Sequence, residues 1–588
     1  MPKLTGWQMV VQILKAEGVK YVFGLPGSPT CLYDALYDEP AVKPVLVRHE
    51  AAGGFMAMAY ALLTGEPAVC FASPGPGVAN LVPAMLEALA TCAPVLAPCP
   101  GVSGHKDGQG AFQETDQVGI MRPAAKWAVR VPYADRIPWA MRRAFSLATN
   151  GQPGPIFLEI PVEVGEDQAE MADYLPAERY IRSAGDPARV KKAAALLAEA
   201  QRPLIVAGGG VLRSRAHAEL RALAELLGMP VMTTPSGRGA IPEDHPLSIG
   251  QVGLYRTRLG IQAFEEADLL VTVGSRNEEF QTGAWRIFPP GARFVQIDIE
   301  SSEIGRNWLP DVAVVGDAKL VLADLSAILK EGEKAAWKVR GEEYAQAKRA
   351  YEAEVAAESQ TDEMPLKTKR VLYEINQVFG RNTVIIHENG SQDLWSYYSP
   401  YYKVLDLDSV VAPGEQTCMG MGVAGAIGAK LARPEAKVVC ITGDGAFQMH
   451  YQELPTAAQH GAPVTWVVLD NRSLGWIKFG QRRLGERYIA TDFDVQPDFA
   501  QLAQACGCYG ENVERPEAVR GALERALRAN QNGQPAALAF TVDPWDLSEG
   551  FHAYYALRQG QGSGVGRGQE TSPAGLRQSF ASCGANAG

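Results

Sequence analysis

Residues Lys437 to Trp476 read K-V-V-C-I-T-G-D-G-A-F-Q-M-H-Y-Q-E-L-P-T-A-A-Q-H-G-A-P-V-T-W-V-V-L-D-N-R-S-L-G-W, and the reading of the whole chain starts from them. A short apolar run, Val438–Ile441, ends in Gly-Asp-Gly, a helical segment follows, and a second apolar run, Val464–Leu469, ends in Asp470-Asn471. Two buried-strand signals around a helix make a βαβ unit. Its right-handed crossover lays the two strand ends side by side, so Asp444 and Asn471 can meet at the carboxyl edge of a parallel sheet. One carboxylate, one amide oxygen and a backbone carbonyl near Ser473 suit a hard octahedral cation such as Mg2+, which keeps water and takes its other ligands from phosphates. Gly443 and Gly445 flank Asp444, with Ala446 beside them, and let backbone N–H groups approach a diphosphate at the start of the helix. The same triplet also serves as an ordinary strand-to-helix turn, and other stretches decide between the two.

With 588 residues the chain is too long for one core and corresponds to about three to four domains. A hydrophobic fraction of 47% with 21% charged residues belongs to a folded protein in water. The net charge of −11 argues against nucleic acid or an anionic membrane as the main partner. Nine cysteines match no zinc spacing, which favours buried thiols in a reducing cytosol. The start, Met1 to Trp7, lacks the apolar core of a signal peptide. The most apolar window, Leu81 to Pro100, carries Glu87 and is broken by Pro94 and Pro98, so it reads as a buried helix and a strand, not a membrane span. A cytoplasmic enzyme is expected.

Residues 1–180 alternate strand and helix signals, with strands at Tyr21, at Pro44 to Glu50, at Ala68 and at Pro155 to Pro161. A second α/β pattern fills 190–330, with strands entering Gly208-Gly-Gly210 and Gly274. The charged, alanine-rich stretch 331–365 reads as a solvated helical linker. A third α/β region covers 366–548. The expected fold is α/β, three doubly wound domains with parallel sheets covered by helices on both faces. Within it, Glu50 is either a carboxylate at the ligand-binding edge of a sheet or a solvated acid opening the next helix. The small residues from Ala412 to Gly428 allow a helix to lie close to a cofactor or to another helix. In the tail, 549–588, an aromatic segment either folds over the site as a lid or wraps the surface, and Gly560 to Gly588 has the composition of a disordered chain.

The ordered set F-G-L-P-G-S (23–28), V-R-H-E (47–50), S-P-G-P-G-V-A-N (73–80), G-A-F-Q-E-T-D (110–116) and G-D-G…N resembles the thiamine diphosphate (ThDP) enzymes of the acetolactate synthase type, related also to 2-hydroxyacyl-CoA lyases and oxalyl-CoA decarboxylases. The resemblance implies a pyrimidine-binding domain, a central nucleotide-binding-like domain and a diphosphate-binding domain. It assigns Glu50 to the cofactor's N1′, where the acid shifts the aminopyrimidine to its imino tautomer. Gly27 and Ser28 fall in the turn beside it, although Ser28 replaces the Gly-Ala turn of acetolactate synthases. Met419 takes the place of the wedge that bends the cofactor. Ser391 and Gln392 match the loop that seats the diphosphate, with Gly443, Gly445 and Ala446, while Asp444, Asn471 and the Ser473 carbonyl hold Mg2+. Phe112, Gln113 and Lys126 match positions lining the acetolactate synthase site. Arg276, in Gly274-Ser-Arg276, belongs to a central domain that binds FAD in acetolactate synthases, ADP or coenzyme A in other relatives, and nothing in some.

Decarboxylating a 2-oxo acid, or cleaving beside a hydroxylated carbon, leaves an acyl carbanion that no side chain stabilises, and the thiazolium ring supplies that electron sink. The resemblance therefore implies a ThDP- and Mg2+-dependent lyase or carboligase acting on a 2-oxo acid. A 2-hydroxyacyl-CoA lyase is the alternative, because Glu415 and Thr417 stand where acetolactate synthases have glycines and the stretch after Trp476 lacks their tryptophan. It also implies a homodimer or homotetramer, with each cofactor between the first domain of one subunit and the third of another.

Overall fold

Runs of valine, isoleucine, leucine and phenylalanine between glycine turns build three six-stranded sheets in which every neighbouring pair is parallel. The computed structural model describes residues 3–27, 31–332, 334–388 and 390–558. Ser28 and the stretch Gly560 to Gly588 lie outside the described residues.

The first sheet contains Tyr21–Gly24, Lys43–Leu46, Ala68–Phe71, Val95–Gly101, Trp127–Arg130 and Ile156–Pro161. Numbered along the chain within the domain, these strands lie in the order 2-1-3-4-6-5. The third sheet, Thr383–His387, Val410–Val411, Lys437–Gly443, Thr465–Asp470, Tyr509–Val513 and Ala536–Thr541, has the same order. The central sheet, Pro203–Ala207, Val231–Thr233, Ser248–Gln251, Leu269–Val273, Arg293–Asp298 and Val312–Val315, runs 3-2-1-4-5-6, the order of dinucleotide-binding folds. The first switch point of each order lies between strands 1 and 3 in the outer domains and between 1 and 4 in the central one. The loops leaving the carboxyl ends there splay apart and leave a crevice.

The helix Glu50–Thr64 of the first domain lies against the helix Met421–Ala432 of the third. Phe55, Met56 and Ala59 share one apolar cluster with Val423, Ala426 and Ile427. Contact is closest at Gly428, where a β-carbon would stand 2.1 Å from the carbonyl oxygen of Met56. The small residues between Ala412 and Gly428 therefore serve helix packing here.

Two expectations change. The strand before Glu50 stops at Leu46, because the Arg48 N–H donates to Glu453 Oε1 at 2.9 Å, and Glu50 becomes the first residue of the helix. The linker helix Ala335–Ser359 is not simply solvated, since Trp337 and Val355 are buried along it. Arg340 donates to the carbonyl of Gln201 and Lys348 to that of Glu243, each at 2.7 Å, so two aliphatic stems are buried while their charged ends find acceptors. The helix braces the central domain.

Candidate active site

Asp444 opens the helix Asp444–His450 directly after the third strand of its sheet, and its side chain is buried. Its Oδ2 accepts from Gln496 Nε2 at 2.8 Å, and the same amide reaches Asp470 Oδ1 at 3.1 Å. Burial first, then the charge of Asp470, pushes Asp444 up to about 8. Two neighbouring carboxylates share one neutral amide, an arrangement that a cation would relieve. Asn471 follows the next strand, and its Oδ1 accepts from Ser473 N at 2.9 Å and Ser473 Oγ at 3.2 Å. The Asn471 amide donates to Gln392 Oε1 and, at 3.4 Å, to Ser391 Oγ. Among the described residues no group of three or more histidines, cysteines and acids is placed to hold a metal. A donor set of one carboxylate, one amide and one carbonyl is a different kind of site, suited to a cation that brings phosphate and water with it.

Asp444, Asn471, Ser473, Ser391 and Gln392 line one cavity with Met419, Gly443, Gly445 and Ala446. Gly475 closes it tightly, since a β-carbon there would come 2.2 Å from Ser391 Oγ. Met419 lies in the turn before the helix Met421–Ala432 and is 42% exposed. The C-terminal helix Glu549–Arg558 backs the cavity wall, because Phe551 packs edge-on against Trp476 and Trp476 Nε1 donates to Tyr555 Oη at 2.6 Å.

In the first domain Glu50 is 7% exposed, and its Oε2 accepts from Asn80 Nδ2 at 3.0 Å. It does open a helix, but it is not solvated. Gly77 leaves room for it, since a β-carbon there would lie 3.3 Å from Glu50 Oε1. Gly27 approaches Ser73 at the start of the same loop, where a β-carbon would meet Ser73 Cβ at 2.4 Å. Gln113, with φ +62°, crosses Gly75, and its buried Oε1 has no hydrogen-bond partner among the described residues. Phe112 beside it is 80% exposed. Among the described residues no hydrogen bond joins this cluster to the cavity around Asp444 in one chain.

Lys126 is the correction. Its Nζ donates to the carbonyls of Leu147, Asn150 and Gln152 at 2.6, 2.9 and 2.7 Å, so all three protons are committed to the end of the helix Ile137–Thr149. The structure gives it a capping role in place of the expected catalytic one.

The central domain opens a second cavity where Gly209 and Gly210 meet Gly274, with Ala90, Cys92 and Gln152 of the first domain on its other wall. A β-carbon on Gly208 would come 2.1 Å from the Gly274 carbonyl oxygen. Arg276 lines it, paired with Glu278 at 3.1 Å and donating to the Ala90 carbonyl. Arg213 also lines it, and its buried Nε has no hydrogen-bond partner among the described residues. Burial lowers the pKa of Arg213, so an anion there would be favourable.

Sequence reasoning passed over Asn80, Gln496 and Glu388, and read Glu87 only as a charge interrupting an apolar window. That interruption was the one available signal, because an acid inside a buried helix needs partners.

Three models of the thiamine pyrophosphate enzymes match the chain: the N-terminal TPP binding domain over residues 4–120, the central domain over 190–325 and the C-terminal TPP binding domain over 389–540. A probable acetolactate synthase large subunit of Methanocaldococcus jannaschii is 36% identical over 560 residues, covering 92% of each chain. An acetolactate synthase of Mycobacterium bovis is 34% identical over 564 residues, 92% of this chain and 88% of its own. An acetolactate synthase large subunit of Haemophilus influenzae is 32% identical over 535 residues, 90% and 93%.

Proposed function

We propose, from the premise that the chain belongs to the thiamine pyrophosphate enzyme family and is an acetolactate synthase-like enzyme, that it joins two 2-oxo acids with loss of carbon dioxide. With pyruvate as both substrates the atoms balance as acetolactate plus carbon dioxide. The observation that carries this reading is the convergence of Asp444, Asn471, Ser473, Ser391 and Gln392 on one cavity at the carboxyl end of a parallel sheet. Thiamine diphosphate, when bound, supplies the electron sink. Asp444, Asn471 and the Ser473 carbonyl are the groups that would hold Mg2+. The backbone of Gly443, Gly445 and Ala446 approaches that diphosphate at a helix N-terminus. Glu50, out of water and oriented by Asn80, exchanges a proton with the aminopyrimidine N1′.

The active unit is at least a dimer in this reading. In one chain Glu50 and Asp444 belong to separate half-sites, and Phe112, Met419 and Ile477 leave apolar surface uncovered around them. In the central cavity the unpartnered Arg213 Nε supports a nucleotide phosphate, from FAD or an adenine nucleotide. A 2-hydroxyacyl-CoA lyase would need Arg276 for coenzyme A, and that guanidinium is already paired with Glu278. We place the enzyme in the cytoplasm. Among the described residues no helix is long and apolar enough to cross a membrane.

Incubation with pyruvate, thiamine diphosphate and Mg2+ is expected to yield acetolactate. Formyl-CoA from a 2-hydroxyacyl-CoA, with none from pyruvate, would replace this reading by the lyase. Mass spectrometry of small molecules released on denaturation identifies what the central cavity holds.

A further inference from the structure

Met419 stands in the middle of a segment held by two buried acids from different domains. Glu87, on the helix Pro76–Ala90 of the first domain, is 0% exposed. Its Oε1 accepts from Gly414 N at 2.5 Å and its Oε2 from Cys418 N at 2.9 Å. Glu388, just past the strand Thr383–His387 of the third domain, is 2% exposed. Its Oε1 accepts from Gly422 N at 2.6 Å and Val423 N at 3.4 Å, and its Oε2 from Gly420 N at 3.3 Å. Glu388 thus caps the helix Met421–Ala432, whose own N-cap Gly420 has no side chain to do so.

We propose that Glu87 and Glu388 are positioning residues that together fix the backbone turn presenting Met419 to the active-site cavity. The proposal rests on the reading of Met419 as the residue that meets the cofactor. Met419 is too exposed to be located by side-chain packing, so its backbone must locate it. That backbone is unfavourable by itself at the β-branched Thr417, with φ +47°, and at Gly420, with φ +83°, it takes a conformation open to glycine. Two acids in a protein interior are costly unless each oxygen is satisfied, and here every oxygen accepts an N–H, the pattern of ionised carboxylates. Burial pushes both acids upward, and at Glu388 the charge of Asp393 adds to it, while the amides oppose it. A glutamine in either place keeps the shape but turns one accepting oxygen into a donor facing an N–H.

The test uses the assembled holoenzyme with Glu87→Gln, Glu388→Gln and Met419→Ala. Amide hydrogen exchange over residues 414–423 is expected to rise at least about tenfold in either glutamine variant, with little change elsewhere. Exchange of the cofactor's C2 proton in D2O and kcat are expected to fall about tenfold to hundredfold, the scale of an ångström of misplacement, while KM and cofactor affinity change little. Adding Met419→Ala to Glu87→Gln should cost little more than either change alone, because both remove the same function. Unchanged exchange over 414–423, a wild-type kcat, or losses that multiply with Met419→Ala would each overturn the proposal. So would failure to fold of both glutamine variants and of Glu87→Asp and Glu388→Asp, which would assign the acids to stability alone. If the unaltered protein binds no thiamine diphosphate, the proposed function fails instead, and the amide exchange still reports on the clamp.

Discussion

The first and third domains share one strand order and spend it differently. In the third, the loops after strands 1, 3 and 4 converge on a cavity lined by Asp444, and Asp444 and Asp470 share the Gln496 amide beside it. In the first, Gly77, on the helix after strand 3, lies close against Glu50, whose buried carboxyl accepts from the Asn80 side chain. One crevice concentrates negative charge and so calls for a cation. The other buries a single acid against a neutral amide. The fold fixes where the crevice opens, and a few side chains fix what it can bind.

The sharpest way to separate the two crevices is to remove one acid from each. Asp444→Ala should abolish retention of thiamine diphosphate and Mg2+, weakening affinity by more than the roughly tenfold to hundredfold typical of outer-shell partners. Calorimetric titration of the cofactor measures this. Glu50→Gln should leave that titration close to wild type and lower kcat roughly a hundredfold or more, the range of general acid–base contributions. If both variants lost binding equally, the division of labour between the domains would be wrong.

Much of this division is legible in the amino-acid sequence. Strands buried on both faces are continuous apolar runs, so Val438–Ile441 and Val464–Leu469 announce themselves, and the residues that end them are the ones that line the cavity. Glu50 is buried at the start of the next helix, and the strand before it is shorter than its composition suggests. What stays hidden depends on partners distant in sequence. Nothing near Glu87 names Gly414, and nothing near Gln496 names Asp444. Lys126 misleads for the same reason, since its acceptors lie 21 to 26 residues further along the chain. The brace helix misleads through arginine and lysine stems that bury under charged ends.

The seam between the two domains gives a third contrast, in stability and not in chemistry. Gly428→Val puts branched carbon against the Met56 carbonyl and must push the helices apart. A cost of about 1–3 kcal/mol is expected for such overpacking. Thermal unfolding measures it, and an unchanged midpoint would show that the helices Glu50–Thr64 and Met421–Ala432 are free to separate.

The smallest expected effect lies where the central domain meets the third. Glu415 Oε1 accepts from Phe280 N at 3.1 Å, and burial, then the charge of Glu278, pushes Glu415 up to about 7. The folded protein therefore prefers the neutral acid. That contribution to stability is complete below the ordinary value of 4.5 and is lost as pH rises through about 7. Glutamine resembles the neutral acid at every pH and still accepts from Phe280. Glu415→Gln should thus leave the melting temperature nearly unchanged at about pH 5 and raise it by a few degrees near pH 8, in the absence of ligands. A variant less stable than wild type at the higher pH would mean that Glu415 is held as a carboxylate. The charge of Arg276 would then outweigh that of Glu278 at this wall, and the seam would be joined by ion pairing where the apolar seam at Gly428 is joined by fit.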